Sequence, residues 1–264
     1  MQIADAAYTK KLAIHLFFGV SFAFFEGMAS AVQSTSLLSF AVAKTFSKQD
    51  KERTASLWTW EKFSSHLPRL DDCDIIDRKW IPVRTELPEK LWCKVKERFL
   101  DSLLATFGAY DQKDTFSMLS SCSSLDREEQ IKMVINSILM VLCVGAKKKL
   151  RLEVIVDKLV TKSHQKQGLY PFSRSDAILG DGEVVVEVKL NHRLGNDSVA
   201  QLLLAMLALG DKLPFGILTC SEFWTFFHTG NKGIKVSKAY RVSDWESLRV
   251  VCEIIWGFLW KRNE

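Results

Sequence analysis

From residue 126 onward the chain alternates long stretches of apolar residues at helical spacing with short β-branched runs. Pro88 can open a helix whose apolar positions Leu91, Val95, Phe99, Leu103 and Phe107 recur every three or four residues. Gly108 ends it. A second helix follows Asp126, which can cap it with Glu129 three residues on. Ile131, Ile135, Ile138 and Leu142 form its inward stripe, and Gly145 closes it. Leu150 to Val160 is β-branched and predicts a strand. Asp181-Gly182 lies between two extended runs and predicts a two-residue hairpin turn. Asn196 or Asp197 can cap the next helix, almost wholly apolar from Val199 to Leu209 and therefore buried against a sheet. A strand at 215–219, a hairpin over 222–240 and a last helix opened by a Ser243–Glu246 capping box complete the order. These elements predict an α/β fold, a mixed β-sheet core flanked by helices, over residues 120–264. Residues 1–119 are expected to form a separate, mostly helical module of unknown role, joined through a polar stretch at 45–60.

The front of the chain reads two ways. Lys10 and Lys11 precede an apolar run from Leu12 to Phe25, and Ala29-Ser30-Ala31 follows, so residues 1–31 have the layout of a secretory signal. His15 and Glu26 depart from that layout, and a buried helix is the competing expectation. The run is short for a membrane span, and no stable span is expected. An intracellular address, nucleus or cytoplasm, and a secreted effector both stay open.

Composition changes this picture little. Of 264 residues, 47% are hydrophobic and 25% charged, the balance of a globular protein. The six cysteines include no CxxC pair, which argues against a zinc site and for buried thiols. The net charge of +5 is modest, but its distribution is uneven. Between Gly145 and Arg174, Lys147, Lys148, Lys149, Arg151, Lys158, Lys162, Lys166 and Arg174 face only Glu153 and Asp157. Such an excess attracts polyanions. Trp58, Trp60, Trp80 and Trp92 could stack bases, with core packing the stronger expectation. No Gly-rich phosphate loop, serine elbow or zinc-protease helix is present.

The candidate chemistry lies in the central hairpin, Ser173 to Leu190. With Asp181-Gly182 as the turn, counting outward pairs Leu179 with Val184, Ile178 with Val185 and Ala177 with Val186. Asp176 then falls opposite Glu187, where side chains approach to about 5 Å. Strand alternation puts Glu183, Val185, Glu187 and Lys189 on one face, Val184, Val186, Val188 and Leu190 on the other. Two opposed carboxylates repel unless a cation sits between them, and oxygen ligands of this kind suit Mg²⁺ or Mn²⁺.

These residues resemble the PD-(D/E)xK nuclease superfamily, with its restriction-endonuclease-like fold: Asp176 matches the acid of the first strand, and Glu187-Val188-Lys189 matches the acid-x-Lys triplet of the second. Ser175 stands where that family has proline. The segment Phe215 to Trp224 also looks like the nuclease regions of Crinkler-type effectors. The resemblance implies a metal-dependent nuclease, with Mg²⁺ or Mn²⁺ on Asp176, Glu187 and the Val188 carbonyl. It also implies that Lys189 assists catalysis, that Gln201 faces the site from the following helix, and that an acid on the preceding helix joins them. Glu128 is preferred to Glu129 there, because it shares the stripe of Ile131 and Ile135. DNA or RNA is the expected partner, with no small-molecule cofactor. A nuclease-like domain that binds nucleic acid or a host protein without cutting is the alternative.

Overall fold

The computed structural model describes residues 58–65, 76–108, 115–117, 128–156, 174–190, 194–209, 214–230 and 233–260. Five helices carry labels here: α1 (Trp60–Ser65), α2 (Glu89–Phe107), α3 (Glu128–Gly145), α4 (Asn196–Ala208) and α5 (Trp245–Trp260). The strands are β1 (Ile76–Asp77), β2 (Leu150–Ile155), β3 (Arg174–Leu179), β4 (Val184–Val188), β5 (Phe215–Thr219), β6 (Phe223–Thr229), β7 (Ile234–Val236) and β8 (Tyr240–Arg241). The fold is mixed α/β, built on an open sheet of eight strands in the order β1-β7-β6-β5-β4-β3-β2, with β8 on the side of β6. β4/β5 and β1/β7 run parallel, and the other pairs antiparallel.

β4 reads Val-Val-Val-Glu-Val, buried at all five positions. A strand buried on both faces belongs in the middle of a sheet with helices on either side, and β4 lies between β3 and β5. Its alternation divides two cores. Val184, Val186 and Val188 pack with Ala177, Leu179 and Ile217 under residues of α2, α3 and α5. Val185 packs with Ile178, Leu218 and Phe227 under α4. α4 is the crossover between the parallel strands β4 and β5 and is apolar nearly all round. Close packing of this helix requires Gly216 on β5, where a Cβ would collide with the Met206 sulfur.

The hairpin register is the expected one, with Ala177 opposite Val186, Ile178 opposite Val185 and Leu179 opposite Val184. The turn differs. A two-residue type I′ turn needs positive φ at both central residues, whereas positive φ falls on Gly180 (66°) and Gly182 (99°) and not on Asp181. Four residues therefore span the bend, closed by Glu183 N–H donating to the Leu179 carbonyl at 3.2 Å. Both turns carry an even number of residues between the same strand partners, so the faces are unchanged.

The helix starts also differ from expectation. Gly195 occupies the N-cap of α4 with no side-chain hydrogen bond, and Asp197 instead accepts the Trp60 backbone N–H at 2.8 Å. At α5 the reciprocal cap is Asp244 with Ser247, not Ser243 with Glu246. Ser247 N–H donates to Asp244 Oδ1 at 2.7 Å, and the Ser247 hydroxyl accepts the Asp244 N–H at 3.0 Å. These bonds hold the Asp244 carboxyl below its usual range. The Gly108 stop of α2 is as expected, with φ 80° and its N–H on the Leu104 carbonyl. Asp126, Gly210 and the apolar run 12–25 lie outside the described residues.

The expected boundary at residue 120 does not separate the described elements. α2 shares one core with α3 and α5 through Trp92, Val95, Phe99 and Leu103, and β1 extends the sheet beside β7. Trp58, in the stretch read as a polar linker, is buried against α4. By packing, the described residues all fall within one compact unit. No helix among the described residues is long and apolar enough to cross a membrane.

Asp244→Ala should lower the stability of the protein by about 1 kcal/mol, or about 2–4 °C in thermal unfolding followed by circular dichroism. Ser243→Ala and Glu246→Ala should each shift it by less than half as much.

Candidate functional site

β3 and β4 carry Asp176 and Glu187 to neighbouring positions at the end of their ladder. Asp176 Oδ2 accepts the Val188 backbone N–H at 2.7 Å, which ties the first acid to the second strand at the expected register. Two residues on, the Lys189 ammonium meets Glu187 Oε1 at 2.6 Å. Glu128, on the first turn of α3, is half-buried, and its charge acts on both Glu187 and Lys189. The geometry thus brings Asp176, Glu187, Lys189 and Glu128 together. Glu129 is the outward residue, with its side chain 77% exposed. Gln201 lies half-buried on α4.

A fifth residue, absent from the sequence reading, links these groups. Lys132 extends from α3 and is buried. Its ammonium lies 2.8 Å from Asp176 Oδ1, 3.3 Å from Glu128, and 3.2 Å from both Glu129 and Glu153. The signal was available: Lys132 is one helical turn after Glu128, beside Ile131 on the inward stripe, where a lysine is out of place unless paired. Burial works against its charge, but the hydrogen bonds and charges of Asp176 and Glu153 outweigh it and push the ammonium well above the usual lysine range.

Glu153 completes the group from β2. The β2/β3 register runs through Leu152 with Ala177 and Val154 with Ser175, so Glu153 stands across from Asp176. Its φ is 52°, unusual for a residue other than glycine. The backbone is strained at the position facing the central acid, and strain of this kind concentrates at functional sites. Arg174 also binds Glu153.

Charge is unbalanced here. Among the described residues, Glu128, Glu129, Glu153, Asp176 and Glu187 meet Lys132, Lys189 and Arg174, five carboxyl groups against three cations. Glu187 registers it most. Burial and the neighbouring Asp176 and Glu128 charges raise its carboxyl to about 7, against the opposing pull of Lys189. Burial opposes the Lys189 charge too, but Glu187, Glu128 and Asp176 together raise its ammonium above the ordinary value. Among the described residues no group of three His, Cys, Asp or Glu side chains is arranged to hold a metal ion.

The basic stretch before the site is partly neutralised. Lys148 pairs with Glu183 at 2.7 Å, Arg151 with Asp181 at 2.9 Å, and Arg174 with Glu153. Lys158, Lys162, Lys166, His164 and His192 lie outside the described residues. Of the tryptophans, Trp58 and Trp92 are buried in the cores, as packing predicted, while Trp60 and Trp80 are half-buried. Compared with protein-family models, curated proteins and solved structures, the chain gives no match.

Because the Glu187 carboxyl is raised, its ionised form costs folding stability, a cost absent at low pH and complete once pH passes about 7. In EDTA, urea unfolding of Glu187→Gln against the parent should therefore move in favour of the variant between about pH 5 and 8, since glutamine cannot ionise. Lys132→Met should destabilise by about 3 kcal/mol, because Asp176 and Glu128 lose their shared cation inside the protein.

Proposed function

We propose that this chain is a metal-dependent nuclease of the restriction-endonuclease-like kind, hydrolysing phosphodiester bonds of DNA or RNA. The observation that carries this reading is the convergence of Asp176, Glu187, Lys189 and Glu128 at the carboxyl end of β4, with negative charge in excess. In open α/β sheets, ligands bind outside the carboxyl ends of the strands. Hard carboxylate oxygens with uncompensated charge suit Mg²⁺ or Mn²⁺.

Asp176, Glu187 and the Val188 carbonyl would hold the ion, two carboxylates and one backbone oxygen rather than three side chains. When bound, the ion supplies Lewis-acid polarisation of the phosphoryl group and lowers the pKa of a water. The residues around it have their own tasks. The Val188 N–H fixes the orientation of Asp176 through Oδ2. Lys189, held charged by Glu187 and its neighbours, provides a cation for the negative charge that develops on the phosphate. Lys132 positions Asp176 through their 2.8 Å ion pair. Glu128 sustains the negative field at the start of α3.

A specific observation favours the second reading, a nuclease-like domain that binds nucleic acid or a host protein without cutting. The Lys132 ammonium already lies on Asp176 Oδ1, and a resident cation there can substitute for a metal ion structurally without supplying its chemistry.

The two readings separate in one assay. Incubation of single- and double-stranded DNA and RNA with Mg²⁺, Mn²⁺ or EDTA should show cation-dependent cleavage. Asp176→Ala should abolish it, and Lys189→Ala should reduce it by about a hundredfold or more. Cleavage that persists in Asp176→Ala overturns the mechanism. Absence of cleavage, together with no heat on Mn²⁺ titration, favours the binding domain.

A further inference from the structure

On the α4 side of the sheet, away from the acids but on the same face, lies a cleft of about 360 Å³. One stripe of α4, Asn196, Val199 and Leu203, forms one wall, and Leu218, Thr225 and Phe227 form the floor. Its position relative to the acids follows from register. Glu187 pairs with Leu218, and Leu218 with Thr225, so the three lie in a row across adjacent strands. With strands about 4.8 Å apart, the floor at Thr225 is about 10 Å from Glu187. A stacked nucleic-acid strand, rising about 3.4 Å per nucleotide, covers that distance in about three nucleotides.

The rim has the chemistry of a nucleotide subsite. Trp60 contributes a half-buried indole, and Arg78 and Lys238 are exposed lining residues at the rim, the Lys238 ammonium lying 5.6 Å over the Tyr240 ring. None of the described residues lining the cleft is acidic. Asp197, next to Asn196, is engaged with the Trp60 backbone N–H. The N-terminus of α4 opens beside the cleft without a side-chain cap, its partial positive charge offset in part by the Asp197 carboxylate of the first turn. An aromatic plane, two cations and a helix N-terminus suit a planar base joined to a phosphate. The volume is at the small end of the ligand-site range, the scale of one nucleotide rather than a duplex.

We infer that this cleft binds a nucleotide flanking the scissile phosphate, with the base against Trp60 and the phosphate between Arg78 and Lys238. The inference rests on the nuclease reading and names a single-stranded segment as the substrate portion held there. A duplex would present its bases paired and stacked, closed to Trp60. The acids at Glu187 and the cations at Arg78 then divide the work: one end of the face handles the reacting phosphate, the other holds the strand.

The test is calorimetric titration of the full chain in EDTA with hexathymidylate and, separately, adenosine 5′-monophosphate. Hexathymidylate should bind, and Arg78→Glu and Lys238→Glu should each weaken it at least fivefold while lowering the salt dependence by about one phosphate contact. Trp60→Leu should weaken it about tenfold, with thermal unfolding confirming that the variant is folded. Affinity unchanged in both charge variants, or no binding by the parent protein, overturns the inference. Adenosine 5′-monophosphate binding as tightly as the oligomer also overturns it, since the occupant is then a free nucleotide. The reaction is judged apart from this. Loss of cleavage with binding intact removes the nuclease mechanism and leaves the cleft, whereas cleavage with binding indifferent to Arg78 and Lys238 does the reverse.

Discussion

A carboxylate on the central strand of a sheet covered by helices has little access to water, and its charge must be answered by neighbours. Glu187 is in that position. Its exposure of 6% follows from its place between Val186 and Val188 on a strand buried at every residue. Lys189 answers it directly, Lys132 answers the adjacent Asp176, and both ammonium groups are held charged by the acids they face. The arrangement of β2, α3 and the β3–β4 hairpin around this point is an electrostatic compromise in which acids still outnumber cations.

The compromise has structural consequences beyond the acids. Ser175, between Arg174 and Asp176, turns its hydroxyl to the carbonyls of Ala177 and Val186, at 2.9 Å each, and so holds the two strands together where the regular pairing ends. Glu153 adopts a left-handed backbone where it faces Asp176. Strain, buried acids and a ladder that stops short meet within a few residues. Stability is supplied by the two cores on either side, and the polar cluster is held at their edge.

Much of this was legible in the sequence. The helical stripes of α2 and α3 were readable because packing on one face imposes a 3.6-residue period. The β3–β4 register was readable because alternation has period two and a bend can only shift it by whole residues. The turn type was misjudged, because Asp181-Gly182 and a four-residue bend over Gly180 and Gly182 give the same strand partners. The caps of α4 and α5 were displaced by one or two residues, because several polar residues in a row can each supply the oxygen and tertiary contacts select among them. Asp197 was taken by Trp60, distant in sequence. The basic stretch looked like a polyanion surface, yet Lys148 and Arg151 found carboxylates on the hairpin, and Arg174 found Glu153 on β2. α2 meets α3 and α5 across residue 120 through side chains that no local signal connects.

The sequence alone determined which face of the hairpin each residue occupies, and hence that Asp176, Glu187 and Lys189 gather on one side. That information is local: it depends on alternation and on counting across a short bend. Only the tertiary structure decided what the gathered groups face. Lys132 and Glu128 arrive from a helix some 50 residues earlier, Glu153 from a neighbouring strand, and the cleft beside Trp60 from elements at the far edge of the sheet. Charge and desolvation act through space with no regard for chain order, so the balance at Glu187 exists only once those elements have packed.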